Sequence, residues 1–246
     1  MIRVVSCIVL MMAACYQSHV QAADIIRFAT SPSWGMPYFD ESKSLNTNKG
    51  IVVDIIDALS KELKQPMQEL SFSRKRLAGA VESGEVQLWC FASRKWVENP
   101  DKFQWSGTIF KVKDIIVLHN SVSNIKTIND LKGLRIGTVI GFYYSKEIEQ
   151  GFANKTLIRE DAPDIERTLK KLLLHRSDAA IVAEPTLLWY NREKKYSFSS
   201  QTIFTDESDV ECAMPINLTI DSEPIFTAIK KLKQNGSIDA ILKRYQ

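Results

Sequence analysis

The stretch ASRKWVENPDKFQWSG (92–107) sets Arg94 and Lys95 beside two tryptophans, Trp96 and Trp105. An arginine offers a planar fork of donors that matches a carboxylate, and a tryptophan can stack on a planar group or attract a cation through its π face. The densest basic cluster is Arg74-Lys75-Arg76. It reads either as a solvated helix face or as the source of one carboxylate-binding fork at Arg74. Trp34, in TSPSWGMPYF, reads as an aromatic cover for a small guest or as packing beneath the first helix. Glu184 is the acidic candidate, able to meet an amine or to cap the helix that Pro185 opens. Gly141 ends LRIGTVIG and is followed at once by Phe142 and Tyr143. A strand, a glycine turn and a helix start would aim backbone N–H groups at an anion there. These are groups that grip a guest rather than groups that break a bond.

Other chemistries lack their residues. His19 lies in the N-terminal segment, and His119 and His175 are far apart in sequence. No Cys/His cluster has metal-ligand spacing, so no metal or other cofactor is expected. There is no Gly-x-Ser-x-Gly and no phosphate loop with its lysine. Gly133, Gly137 and Gly141 depart from Gly-x-Gly-x-x-Gly spacing, and a turn on each side of a strand accounts for them.

The elements that must carry these residues alternate. IIRFAT (25–30) is strand-like, and Gly50 opens a helix with Val52, Ile55, Ile56, Leu59 and Leu63 at helical spacing before Pro66. QELSF, a short helix near Arg74–Ser83, and the strand VQLWCF (86–91) follow. The order then repeats with strands LRIGTV (134–139), KTLIRE and DAAIVA (178–183), and with the helix DIERTLKKLLLH between the last two. ECAMPIN reads as a further strand, and a final helix pair is divided at Asn235-Gly236 with Ser237 as N-cap. Such β-α-β order predicts an α/β architecture with mostly parallel sheets flanked by helices. No low-complexity linker separates the two units, so the boundary near 110–118 reads as a strand running between them.

The 246 residues carry a formal charge of +3, and 25% are charged. The charges are scattered without a basic stripe, which gives no argument for nucleic acid. The N-terminus differs from the rest. Arg3, an apolar run from Val4 to Ala14 and a Val20-Gln21-Ala22 end predict a signal peptide over 1–22. Ala13-Ala14-Cys15 leaves lipid attachment at Cys15 as the lower-ranked alternative. No later segment is apolar enough to cross a membrane, which predicts an exported protein. Cys90 and Cys212 then remain in an oxidising compartment, where a bridge or two buried thiols are both open.

Six segments in order resemble the periplasmic substrate-binding proteins of the polar-amino-acid ABC transporter type. They are GIVVDIIDALSKELK, ESGEVQLW, FQWSGTIF, DLKGLRIGTVIG, HRSDAAIVAEP and AIKKLKQNGSIDAILKRY. The resemblance implies a type 2 periplasmic-binding fold, two α/β lobes joined by two crossing strands with a ligand between them. It places lobe one at 23–112 and 208–246 and lobe two at 113–207. It further implies a periplasmic location, a small-molecule ligand, an inner-membrane ABC permease as partner, hinge closure and a monomer without catalytic function. Trp34, Arg74, Arg94, Trp96, Gly141, Phe142, Tyr143 and Glu184 fall at or near its cleft positions, whereas Trp105 takes the place of a core Phe. Cys90 and Cys212 fall on neighbouring strands, which implies a disulfide. The usual carboxylate-gripping Arg aligns with Asn99, and the usual amine-holding Asp with Ala183, so the ligand clamp departs from the family pattern. A cleft enzyme of the cyclohexadienyl dehydratase type and a detached ligand-sensing lobe are the alternatives.

Overall fold

The computed structural model describes residues 25–40, 49–193, 198, 201–217 and 220–246. The segment read as a signal peptide, with Cys15, lies outside these residues. β1 (Ile26–Thr30) and β2 (Met67–Ser71) pair in parallel across the helix α1 (Ile51–Leu63). α1 buries Ile51, Val52, Ile55, Ile56 and Leu59, one face of a 3.6-residue period, and ends on Lys64 in the left-handed region. α2 (Arg74–Glu82) leads to β3 (Trp89–Ala92), and Leu88 just before it bridges Phe28 in parallel. β4 (Phe103–Trp105) follows two short 3-10 turns.

β5 (Phe110–Leu118) carries the chain into a second unit. There β6 (Arg135–Val139) lies between β7 (Ile158–Ala162) and β8 (Ala179–Ala183), parallel to both. The helices α3 (Lys146–Ala153), α4 (Ile165–Leu173) and α5 (Glu184–Arg192) connect and flank these strands. β9 (Thr202–Pro215) returns antiparallel to β5 over most of its length, then pairs with β3 and β4. α6 (Glu223–Gln234) and α7 (Ser237–Arg244) close the chain against α1.

The buried apolar residues divide accordingly. One core joins Ile26–Val112 residues with Val210, Cys212, Ala213 and Met214 and with the last two helices. Two others sit on opposite faces of the second sheet, where alternation along β5 sends Ile115 and Val117 one way and Ile116 and Leu118 the other. β5 and β9 are the only described strands that contribute buried residues to the cores of both regions.

Three details differ from the sequence reading. The seven-stranded sheet is mixed, because the two crossing strands β5 and β9 run antiparallel to their neighbours. ECAMP (211–215) is the end of a 14-residue strand, since Thr202–Asp209 pair with β5 before it, and Ile216-Asn217 form a turn after it. Ser237 is the first residue of α7 and not its cap: Gly236, at φ 79°, takes the cap position, and the Asn235 side chain accepts from the Ser237 N–H at 3.0 Å. His119 and His175, distant in sequence, stack at 4.2 Å beside Asp178.

Candidate functional site

A cavity of about 60 Å³ lies where the two units meet. Its first wall is aromatic. Trp34 and Tyr38 come from the turn after β1, Phe91 from β3 and Trp96 from the 3-10 turn that follows. Trp34 meets Phe91 edge-on at 5.0 Å, Tyr38 stacks on it at 4.4 Å, and Trp96 meets it edge-on at 5.5 Å. Phe91 is thus the hub on which three rings are fixed. The facing wall comes from the loop after β6, with Phe142, Tyr143 and Tyr144, and from Ile181 to Ala183 on β8. Phe142 packs against the cores of both units. Gly141 stands beside it at φ 81°, and a Cβ there would lie 2.9 Å from Lys75 Cγ. The bare backbone lets this loop rest on the start of α2.

Arg74 opens α2 and is only 7% exposed. One of its terminal nitrogens donates to the Trp96 carbonyl at 2.8 Å, and its guanidinium lies 5.2 Å from the Trp89 ring centroid. No carboxylate among the described residues pairs with it. Burial pulls its pKa down to about 10, which leaves it charged at neutral pH. The cavity therefore contains a cation whose donors are mostly unused.

Two further polar groups were not singled out from sequence. Tyr38 is 3% exposed and its hydroxyl has no hydrogen-bond partner among the described residues. Burial drives its pKa well up, and the charges of Asp114 and Glu184 add to the rise. Asp114, on β5, lines the same cavity. Burial raises its pKa to about 7, with Asp206 adding to the rise and Lys95 opposing it. Phe110, Val112 and Asp114 share one face of an extended strand, and that alternation was the available signal. Asp114 is the cross-strand partner of Ala183, the position where the resemblance expects an aspartate.

The remaining candidates separate. Arg94 does not line the cavity: its Nε donates to Glu211 at 3.1 Å and its guanidinium stacks 5.0 Å from Trp105. Trp105 donates to the Pro100 carbonyl at 2.9 Å and also stays off the cavity. Glu184 is the first residue of α5 and half-buried, between the cavity residues Ala183 and Thr186. The turn at Gly141 is not a helix start. α3 begins only at Lys146, and the Phe142 N–H closes back on the Val139 carbonyl at 3.1 Å. Gly141 instead lines an adjoining groove with Lys75, Asn99 and Tyr143. Cys90 and Cys212 are joined by a disulfide that ties β3 to β9. Among the described residues no cluster of His, Cys, Asp or Glu could hold a metal, and no helix is long and apolar enough to cross a membrane.

No model of a known protein family matches the chain. Over 202 residues it is 23% identical to the arginine-binding extracellular protein ArtP of Bacillus subtilis, covering 80% of this chain and 77% of that one. An ancestral arginine-binding protein bound to arginine superposes with a TM-score of 0.77 at 16% identity, covering 91% of this chain and 99% of the other. An ancestral amino acid-binding protein described as a precursor of cyclohexadienyl dehydratase gives 0.74 at 16% identity, over 90% and 95%. The chain has the two-lobed α/β fold of the polar-amino-acid substrate-binding proteins, the family that its sequence resembles.

Proposed function

We propose that this protein is an extracytoplasmic solute receptor that captures a small, carboxylate-bearing polar ligand between its lobes for ABC-type import. The observation that carries the reading is Arg74, a buried cation without a carboxylate partner, in a cavity walled by both units. A ligand carboxylate would receive its bidentate fork, and a charge-assisted pair of that kind is among the stronger polar contacts. Trp34 and Trp96 would cover the guest from one side, Phe142 and Tyr143 from the other. The cavity also lies past the C-terminal end of β8, where α/β sheets commonly receive ligands.

In this reading residues 1–22 are a signal peptide cut after Ala22, lobe one is 23–112 with 208–246, and lobe two is 113–207. The division of the buried cores supports those bounds. Closure of the lobes on the ligand presents a surface to an inner-membrane permease, and the receptor works as a periplasmic monomer.

A thermal-shift screen over amino acids, dicarboxylates and amines tests the reading. A ligand well above its Kd raises the melting temperature, because it binds only the folded form. Arg74→Ala and Trp34→Ala should each abolish that rise while the unliganded variants still fold cooperatively. Full binding by both variants would refute the site.

One observation favours a second reading, a cleft enzyme. Asp114 keeps its proton to about pH 7 in an aromatic pocket, as a general acid requires. Incubation with prephenate or arogenate, followed by ultraviolet absorbance of an aromatic product, decides between the two.

A further inference from the structure

β3 is four residues long, and among the described strands its ladder partner is β9 alone. Even that ladder is interrupted. Trp89 faces Ala213 and Ala92 faces Glu211, so Cys90 and Phe91 together stand opposite the single residue Cys212. This is the arrangement of a β-bulge, which re-aims side chains and locally interrupts pairing. The Cys212 main chain turns the other way there. Its N–H donates to the Ser106 hydroxyl at 2.9 Å, and its carbonyl accepts from the Ser106 N–H at 3.0 Å. Only its sulfur reaches toward the bulge, in the bond to Cys90. Cys90 is 1% exposed and Cys212 0%, so the bond lies inside the core.

The residues on either side of Cys90 serve the cavity. The Trp89 ring centroid lies 5.2 Å from the Arg74 guanidinium, and Phe91 holds the rings of Trp34, Tyr38 and Trp96. Those three rings come from two separate turns, which Phe91 links. A gap of ~0.5–1 Å already forfeits roughly a quarter to a half of a packing contact, so a slack bulge would disturb the cation and the aromatic wall together. Resting on the solute-receptor reading, we propose that the Cys90–Cys212 bond is a positioning element of the binding cavity. It seats the β3 bulge, so that Phe91 fixes the aromatic wall and Trp89 backs Arg74. The sulfurs touch no ligand and act through the two residues beside Cys90. Without the bond the protein should keep its helices and strands, yet lose order in the turn that bears Trp34 and Tyr38.

Hydrogen exchange of the ligand-free protein, read by mass spectrometry, tests this. The Trp34 N–H donates to the Ser31 carbonyl at 3.2 Å, and the Tyr38 and Phe39 N–H groups donate to the Gly35 carbonyl at 3.0 Å. These bonds close within the turn, so their protection reports how firmly the turn is held. One sample is Cys90→Ala with Cys212→Val. Another is wild type reduced in denaturant and refolded with dithiothreitol, which keeps both native side chains. In each, residues 33–39 should exchange faster by about tenfold or more, beyond any change in the middle of α1. Phe91→Leu, with the disulfide intact, should speed residues 33–39 likewise and leave 211–213 at the wild-type rate. Faster exchange confined to 89–92 and 211–213 would make the bond a brace and nothing more. Unchanged exchange of 33–39 in Phe91→Leu would remove the hub through which the bond acts. Either result overturns the proposal and leaves the receptor reading standing. A thermal-shift screen without a hit would end that reading and leave the ring coupling in place.

Discussion

Arg74 and Asp114 pose one physical problem with opposite signs: each is an ionisable group drawn away from water with no ion-pair partner among the described residues. For Arg74 the charge persists, because even a pKa of about 10 is far above neutrality. For Asp114 the proton is the escape, and its consequence for stability can be signed. The folded pKa of about 7 exceeds the ordinary 3.8, so the folded state binds the proton more tightly than the unfolded chain. This stabilisation is complete below about pH 4 and is lost as pH rises through 7. Asp114→Asn should therefore be more stable than wild type at pH 8, by ~1–4 kcal/mol, with the gap narrower at pH 5 and closed only below about pH 4. Denaturant titrations of both proteins at the two pH values measure it.

At the scale of elements, helices and strands were readable where one face is apolar. α1 and α4 follow their 3.6-residue spacing, and the fold confirms them. What could not be read was decided by partners remote in the chain. Arg94 stood with Trp96 in sequence and so invited a role in the cleft. Glu211, 117 positions away, draws its side chain to β9 instead. Asp114 looked like one more polar residue among Lys111 and Lys113, although it occupies the slot of Phe110 and Val112. Its place became visible only with the cavity it shares with residues remote in the chain, Trp34 and Tyr38 among them. The disulfide fastens β3 to β9 across 122 residues of chain, a long loop to constrain in the unfolded state. Cys90→Ser with Cys212→Ser should lower stability by ~2–4 kcal/mol, and adding reductant to wild type should match it in a thermal melt.

The whole molecule depends on how closely its two bodies approach. Gly35, in the turn that carries Trp34, sits at φ 64°, and an added Cβ would lie 2.1 Å from Ile165 Cγ2. Beside it the Ile165 N–H, at the start of α4, donates to the Ser33 carbonyl at 3.2 Å. A helix-end donor of one body is thus satisfied by the backbone of the other. Gly35→Ala should hold the bodies apart and weaken ligand binding by about tenfold or more, equivalent to the loss of one good contact. Small-angle scattering should show a larger radius of gyration, while circular dichroism stays that of wild type.

β5 and β9 pass from one body into the other as hydrogen-bonded neighbours, from Phe110 opposite Val210 to Val117 opposite Thr202. A protease that nicked a surface loop in either half would consequently not free two fragments. The pieces would stay zipped by a ladder that only denaturant could undo, and amides along it should exchange with deuterium about as slowly as those of the interior.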